Sequence, residues 1–167
     1  MLLARVERDL TGDGKPETLR LVGVGPSLDS LAVTFTIESS GQMIFRMQLE
    51  PFTRNVGFDG GRNVESAEQH RARLKDFGQW FFADAKFQSP SAFVADLRNS
   101  VPDHMALIPE AISHDRPGTD SIQARVIWQE IQRTKVTVFT FSPGGDGIKA
   151  IAWNSRTHRF YNLLECC

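Results

Sequence analysis

Leu31-Ala32-Val33-Thr34-Phe35-Thr36-Ile37-Glu38-Ser39-Ser40-Gly41-Gln42-Met43-Ile44-Phe45-Arg46-Met47-Gln48-Leu49-Glu50 is the stretch that decides the fold class. Leu31, Val33, Phe35 and Ile37 alternate with Ala32, Thr34, Thr36 and Glu38. After the Gly-containing turn at 39–42, Met43, Phe45, Met47 and Leu49 alternate with Ile44, Arg46, Gln48 and Glu50. Side chains of a strand point to opposite faces in turn, so a period of two on both arms specifies a hairpin with one buried face. The eight apolar residues named are therefore expected to face one core. Pro51 ends the second arm.

Outward from this hairpin, residues 3–8 and 17–24 read as two short strands flanking Asp9–Pro16. The C-terminal end repeats the pattern, with strands over 136–142, 148–154 and 159–165 and turns at 143–147 and 155–158. Between the two β units, 52–63 is a Gly- and Asn-containing loop, long enough to line a site. Ser66-Ala67-Glu68-Gln69 fits a capping box, and Ala67, His70, Leu74, Phe77 and Phe81 follow at helical spacing to about residue 84. A second helix starts at Ser89-Pro90, where the missing N–H of proline costs nothing, and carries Phe93, Val94 and Leu97. The prolines at 102, 109 and 117 make 101–119 an irregular connection with one short turn near Met105–Ile108. Thr119-Asp120-Ser121 caps a third helix bearing Ile122, Val126, Ile127 and Ile131. The expectation is an α+β fold: mostly antiparallel sheet from N- and C-terminal hairpin units, with about three helices between them. At 167 residues the chain reads as a single domain over 1–167, with lobes at 1–62 and 64–167 as an option.

Composition excludes several functions. There are 19 Lys and Arg against 20 Asp and Glu, and the signs are interspersed, so no basic surface for nucleic acid is expected. No run of 18 apolar residues exists, so no membrane span is expected. The first residues, Met1-Leu2-Leu3-Ala4-Arg5, are too short and too soon charged for a secretory leader. The protein is then either cytoplasmic or the product of leader removal. Cys166 and Cys167, adjacent at the C-terminus, cannot staple distant elements to each other and lack the C-x-x-C spacing of a thiolate metal site.

Chemistry is concentrated at Asp9-Leu10-Thr11-Gly12-Asp13-Gly14-Lys15-Pro16-Glu17. Calcium takes six to eight oxygens, and a chain supplies them by wrapping the ion with side-chain oxygens at loop positions 1, 3 and 5, a carbonyl at 7 and a carboxylate at 9. Those positions are Asp9, Thr11, Asp13, the Lys15 carbonyl and Glu17. Gly14 at position 6 allows the sharp turn. The same residues also suit a plain hairpin turn, because Asp-Gly favours tight turns and Asp and Thr side chains bond their own backbone.

The segment resembles the EF-hand-like calcium loops of dockerins and of FG-GAP or VCBS-type repeats, whose core is D-x-[ND]-G-D-G-x-x-[DE]. The resemblance covers nine residues and implies calcium ligation at Asp9, Asp13 and Glu17, with Thr11 as the third-position ligand. Thr11 departs from the usual Asn or Asp. No second copy exists, Arg20 stands where an EF-hand has its bidentate Glu, and the flanks read as strands. Three carboxylates without that Glu imply weak affinity, in the extracellular range of about 10⁻⁴–10⁻³ M, and hence a periplasmic or secreted home.

Other constellations are missing. His70, His104, His114 and His158 show no zinc-binding spacing, and no nucleophile elbow, Walker loop or dinucleotide fingerprint occurs. Gly144-Gly145-Asp146-Gly147 reads as a hairpin turn or as a second, poorer cation loop, and Phe77, Trp80, Phe81, Phe82 and Phe87 as a core cluster or a stacking surface. The expected function is a calcium-binding extracytoplasmic domain, non-catalytic, that meets an unidentified protein or ligand partner. The alternative is a small hydrolase assembled from the loops at 52–63 and 101–119, with Asp59, His104 and His114 as its groups. Asp59, Glu65 and Glu68 are a further candidate carboxylate group near the Gly-rich loop, whose spacing alone does not make an acid/base pair.

Overall fold

The computed structural model describes residues 1–26, 31–49, 66–115 except 101–106, 118–144 and 147–166. Among the described residues, two antiparallel four-stranded sheets, each with its strands in sequence order, make up the β part of an α+β fold. The first consists of β1 (Leu2–Arg8), β2 (Glu17–Val24), β3 (Ala32–Ser39) and β4 (Gln42–Gln48) in that order. The second consists of β5 (Phe87–Gln88), β6 (Val138–Phe141), β7 (Ile148–Asn154) and β8 (Arg159–Cys166). Helices α1 (Ala67–Phe81), α2 (Pro90–Ser100), α3 (Leu107–His114) and α4 (Ser121–Arg133) lie between β4 and β6 in sequence.

Alternation along β3 works as expected. Leu31, Val33, Phe35, Ile37 and Leu49 are buried, and Phe45 and Met47 are half-buried beside them. Ring centroids of Phe35 and Phe45 are 5.6 Å apart, so both arms share that face. Met43 is the exception and is 54% exposed. A register shift between Ile37 and Glu38 pairs Ile37 with Phe45 but Glu38 with Met43, leaving Ile44 as an extra residue. Such a bulge moves everything beyond it to the other face, so Met43 joins the solvent side and Ile44 is half-buried in its place.

Phenylalanines fill the space between the sheets. Phe35 on β3 touches Phe139 and Phe141 on β6, and also Phe81 and Phe82 at the end of α1, with centroids 5.3–6.0 Å away. Phe45 on β4 meets Phe160 on β8 at 5.6 Å. Mostly edge-on and tilted rings suit the aromatic quadrupole. The second sheet meets the first through Phe160, which faces Phe45 of β4, and α3 and α4 pack against β8 and β7; Tyr161, the next residue along β8, is buried as well. Buried apolar residues of both sheets and of α2, α3 and α4 form one continuous cluster.

Ser66 caps α1 as its sequence implies. Its hydroxyl accepts from Gln69 N–H at 3.1 Å, and the Gln69 side chain accepts from Ser66 N–H at 2.7 Å. Asp120 caps α4 by accepting from Gln123 N–H at 2.8 Å. Where an irregular connection is expected over 101–119, the chain forms α3, a fourth helix. Pro109 sits in its first turn, where its absent N–H would have no helical partner, so it does not break the helix. Ile108 and Ile112, four residues apart, are fully buried on its inner side. A two-residue strand, β5, also escapes the sequence pattern and pairs with β6.

Candidate functional site

The Asp9–Glu17 loop joins β1 to β2, and its geometry is dictated by its carboxylates. Asp9 Oδ1 accepts from Gly12 N–H at 2.7 Å and its Oδ2 from Gly14 N–H at 2.9 Å, so the chain curls around one side chain. Asp13 Oδ1 accepts from Lys15 N–H at 2.8 Å, while its side chain remains exposed to solvent. Gly12 and Gly14 hold φ of +74° and +84°, the left-handed region that lets the curl close.

Glu17 is placed differently from a loop ligand facing solvent. It is fully buried, and its Oε2 accepts from the N–H groups of Leu10 at 2.8 Å and Thr11 at 3.2 Å. Its Oε1 accepts from the hydroxyls of Thr11 at 3.1 Å and Ser39 at 3.2 Å. Four donors balance the cost of burying this charge. Glu17 is thus a keystone that ties both ends of the loop to β3. The loop is docked at a second point as well. Thr137 N–H donates to Leu10 O at 3.2 Å, and its hydroxyl donates to Asp9 O at 2.8 Å.

Among the described residues, no three His, Cys, Asp or Glu side chains stand together as a ready metal-ligand group. What the loop offers a cation is a set of single oxygen donors. Asp9, Thr11, Asp13 and the Lys15 carbonyl lie on the curl, and each Asp9 oxygen retains a lone pair beyond its single backbone bond. Glu17 stands inside the protein and organises them.

Gly12 carries a separate constraint. A Cβ there would come within 2.8 Å of Lys135 C and 2.9 Å of Val136 N. Gly12→Ala is expected to lower stability by about 2–5 kcal/mol, from backbone strain and overpacking together. Gly14→Ala, with open space around its Cβ, should cost only the strain, about 1–2 kcal/mol. Equal denaturant midpoints for the two variants would contradict the docking of this loop against residues 135–136.

Of the hydrolase candidates, Asp59 and His104 lie outside the described residues, as does Glu65 of the carboxylate set. His114 ends α3 with its Nε2 3.7 Å from Glu110 Oε1. His70 is buried in α1 and His158 is exposed in the β7–β8 turn, on separate elements. Glu68 is exposed in the first turn of α1. The aromatic cluster divides: Phe81 and Phe82 are core, whereas Trp80 is 49% exposed with Lys86 Nζ 4.2 Å above its ring. The turn at 143–147 is closed by Gly147 N–H donating to Gly144 O at 3.1 Å, and Gly145 and Asp146 lie outside the described residues.

The sequence does not reveal a cavity of about 530 Å³ between α3 and β8, bordered by Glu110, His114, Asp115, Asn162, Leu164 and Glu165. Its two walls are some fifty residues apart in the chain, and only their packing creates it. Comparison with protein-family profiles, curated proteins and solved structures finds no match to this chain.

Proposed function

We propose that this chain is a non-catalytic binding or structural module that works outside the cytoplasm and takes calcium at its Asp9–Glu17 loop. The observation that carries the reading is the curl around Asp9, whose two carboxylate oxygens are held by Gly12 and Gly14 N–H groups. That curl is the wrapping geometry a hard, oxygen-seeking cation needs, and it is closed by the chain's own hydrogen bonds. Asp9, Thr11, Asp13 and the Lys15 carbonyl would hold the ion with water completing its shell, and Glu17 would keep them in place. Calcium there would supply charge neutralisation and rigidity. Two carboxylates at the ion give weak affinity, which supports a calcium-rich setting such as the periplasm or the extracellular space.

Thermal melting in millimolar calcium, in magnesium and in chelator tests the reading. Ligand binding to the folded state alone adds about 2.7 kcal/mol at 100 times the dissociation constant, so calcium should raise Tm. Magnesium should do much less, because it demands shorter bonds and octahedral order. Asp13→Ala is expected to remove the calcium response and leave a folded protein, since Asp13 is exposed and makes only one backbone bond. Identical melting in calcium and chelator would leave the loop as a turn and nothing more.

A further inference from the structure

We propose that the cleft between α4 and the β7–β8 turn binds an aliphatic monocarboxylate, a medium-chain fatty acid. The cleft holds about 530 Å³, within the ordinary range of about 300–1,000 Å³ for small-ligand sites. One wall is α4, where Ile122 and Val126, one helical turn apart, are 71% and 38% exposed. Buried Ile127 continues that apolar wall. Arg156, Arg159 and Tyr161 stand on the other wall. Aliphatic side chains left in water beside two guanidinium groups make an amphipathic surface, which a ligand of matching character would cover.

Charge selects the head group. Among the described residues, no Asp or Glu borders the cleft. The acids at either end of α4 are engaged elsewhere. Asp120 caps the helix by accepting from Gln123 N–H at 2.8 Å, and Glu130 accepts from Asn154 Nδ2 at 3.0 Å and pairs with Arg156 Nε at 3.0 Å. Arg156 is thereby balanced by one carboxylate. Arg159 is not: its Nε donates to Thr157 O at 3.4 Å, and no acid pairs with it among the described residues. The surplus of one positive charge matches a single carboxylate better than a phosphate dianion, and a guanidinium offers a carboxylate two parallel N–H donors. Tyr161 adds a donor. It is only 3% exposed, and its hydroxyl has no hydrogen-bond partner among the described residues. That hydroxyl is not one of the polar atoms sealed from solvent, so it opens where the side chain borders the cleft. A carboxylate oxygen would accept from it in place of water.

The tail is an alkyl chain and not a peptide. Both walls have their backbone groups paired already: the amides of α4 bond within the helix, and Asn154 Oδ1 accepts from Arg156 N–H at 3.1 Å and Thr157 N–H at 3.0 Å in the turn. Peptide amides would enter without partners, which is costly, whereas methylenes need none and would cover Ile122 and Val126.

Titration calorimetry of the full chain, run in chelator, tests this with sodium octanoate. Acetate is the head without the tail, octan-1-ol the tail without the charge, and acetyl-Gly-Gly-Leu a peptide carboxylate beside an aliphatic side chain. Saturable one-to-one binding of octanoate is expected, with the other three each about tenfold weaker or more. Arg159→Gln should weaken octanoate by about tenfold, and Tyr161→Phe by about fivefold. Ile122→Ser, at an exposed position, should weaken it by about fivefold and keep the wild-type Tm. Should Arg159→Gln fail to fold, Ile122→Ser carries the same test. No saturable octanoate binding, equal binding of acetate, octanol or the peptide, or unchanged affinity in Arg159→Gln or Ile122→Ser would each overturn the proposal. The cleft shares no residue with the Asp9–Glu17 loop, and chelator keeps calcium out of the titration, so its success or failure is independent of the calcium reading.

Discussion

Phe35→Ala is expected to destabilise the fold by roughly 3–5 kcal/mol, the range for emptying a fully buried aromatic site. The Phe35 side chain is fully buried, and five other rings surround it, from β4, from the end of α1 and from β6. Removing it takes away the hydrophobic transfer energy and also leaves a void at the junction of the two sheets, where no single element can move to fill it. Because native stability is typically only about 5–15 kcal/mol, the variant should be partly unfolded near physiological temperature. Denaturant unfolding followed by tryptophan fluorescence checks this, since Trp153 packs on Phe160 in the second sheet, 5.2 Å away, and Trp128 is buried in α4. A loss below about 1 kcal/mol would mean that the sheets do not meet at this residue. Met43→Ala on the bulged, outward side of β4 should by contrast fall within about ±0.5 kcal/mol.

Glu17→Ala is expected to cost about as much, roughly 3–5 kcal/mol, for a different reason. The carboxylate accepts four hydrogen bonds, two of them from backbone N–H groups at the loop entrance. Leu10 N–H is buried, so without Glu17 it has neither protein nor water as a partner. Glu17→Gln separates the structural role from the proposed calcium role. Its oxygen can serve the Leu10 and Thr11 N–H groups, and its amide N–H can donate to the Thr11 and Ser39 hydroxyls, which are able to accept. Gln should therefore retain most of the stability that Ala loses. If Glu17 organises the loop and does not ligate, Glu17→Gln also keeps the rise of Tm in calcium. A Glu17→Gln protein as unstable as Glu17→Ala would show that charge, and not the hydrogen-bond pattern, holds this corner.

The α+β class was legible in the residues themselves, because period-two alternation over 31–49, the capping box at Ser66–Gln69 and the Asp120 cap are local codes. They act through neighbours two to four positions away, and those neighbours are visible in a linear sequence. The loop at 9–17 was legible for the same reason: Asp9 bonds N–H groups three and five residues ahead. What failed were features set by distant partners. The bulge at Ile44 depends on how β4 meets β3, and a strictly alternating pattern carries no mark of it. Helix α3 is only eight residues long, too short to stand on its own propensity, and it persists because Ile108 and Ile112 are buried in the core cluster and the helix packs on β8. The pair Phe87–Gln88 is a strand only because β6 lies beside it. Burial of Glu17 requires Ser39 from β3, twenty-two residues away, and the cavity between α3 and β8 requires those two elements to face each other. Local hydrogen bonding and periodicity decide which elements form, whereas the choice of faces that meet, and so the sites between them, is made by burying apolar surface across the whole chain.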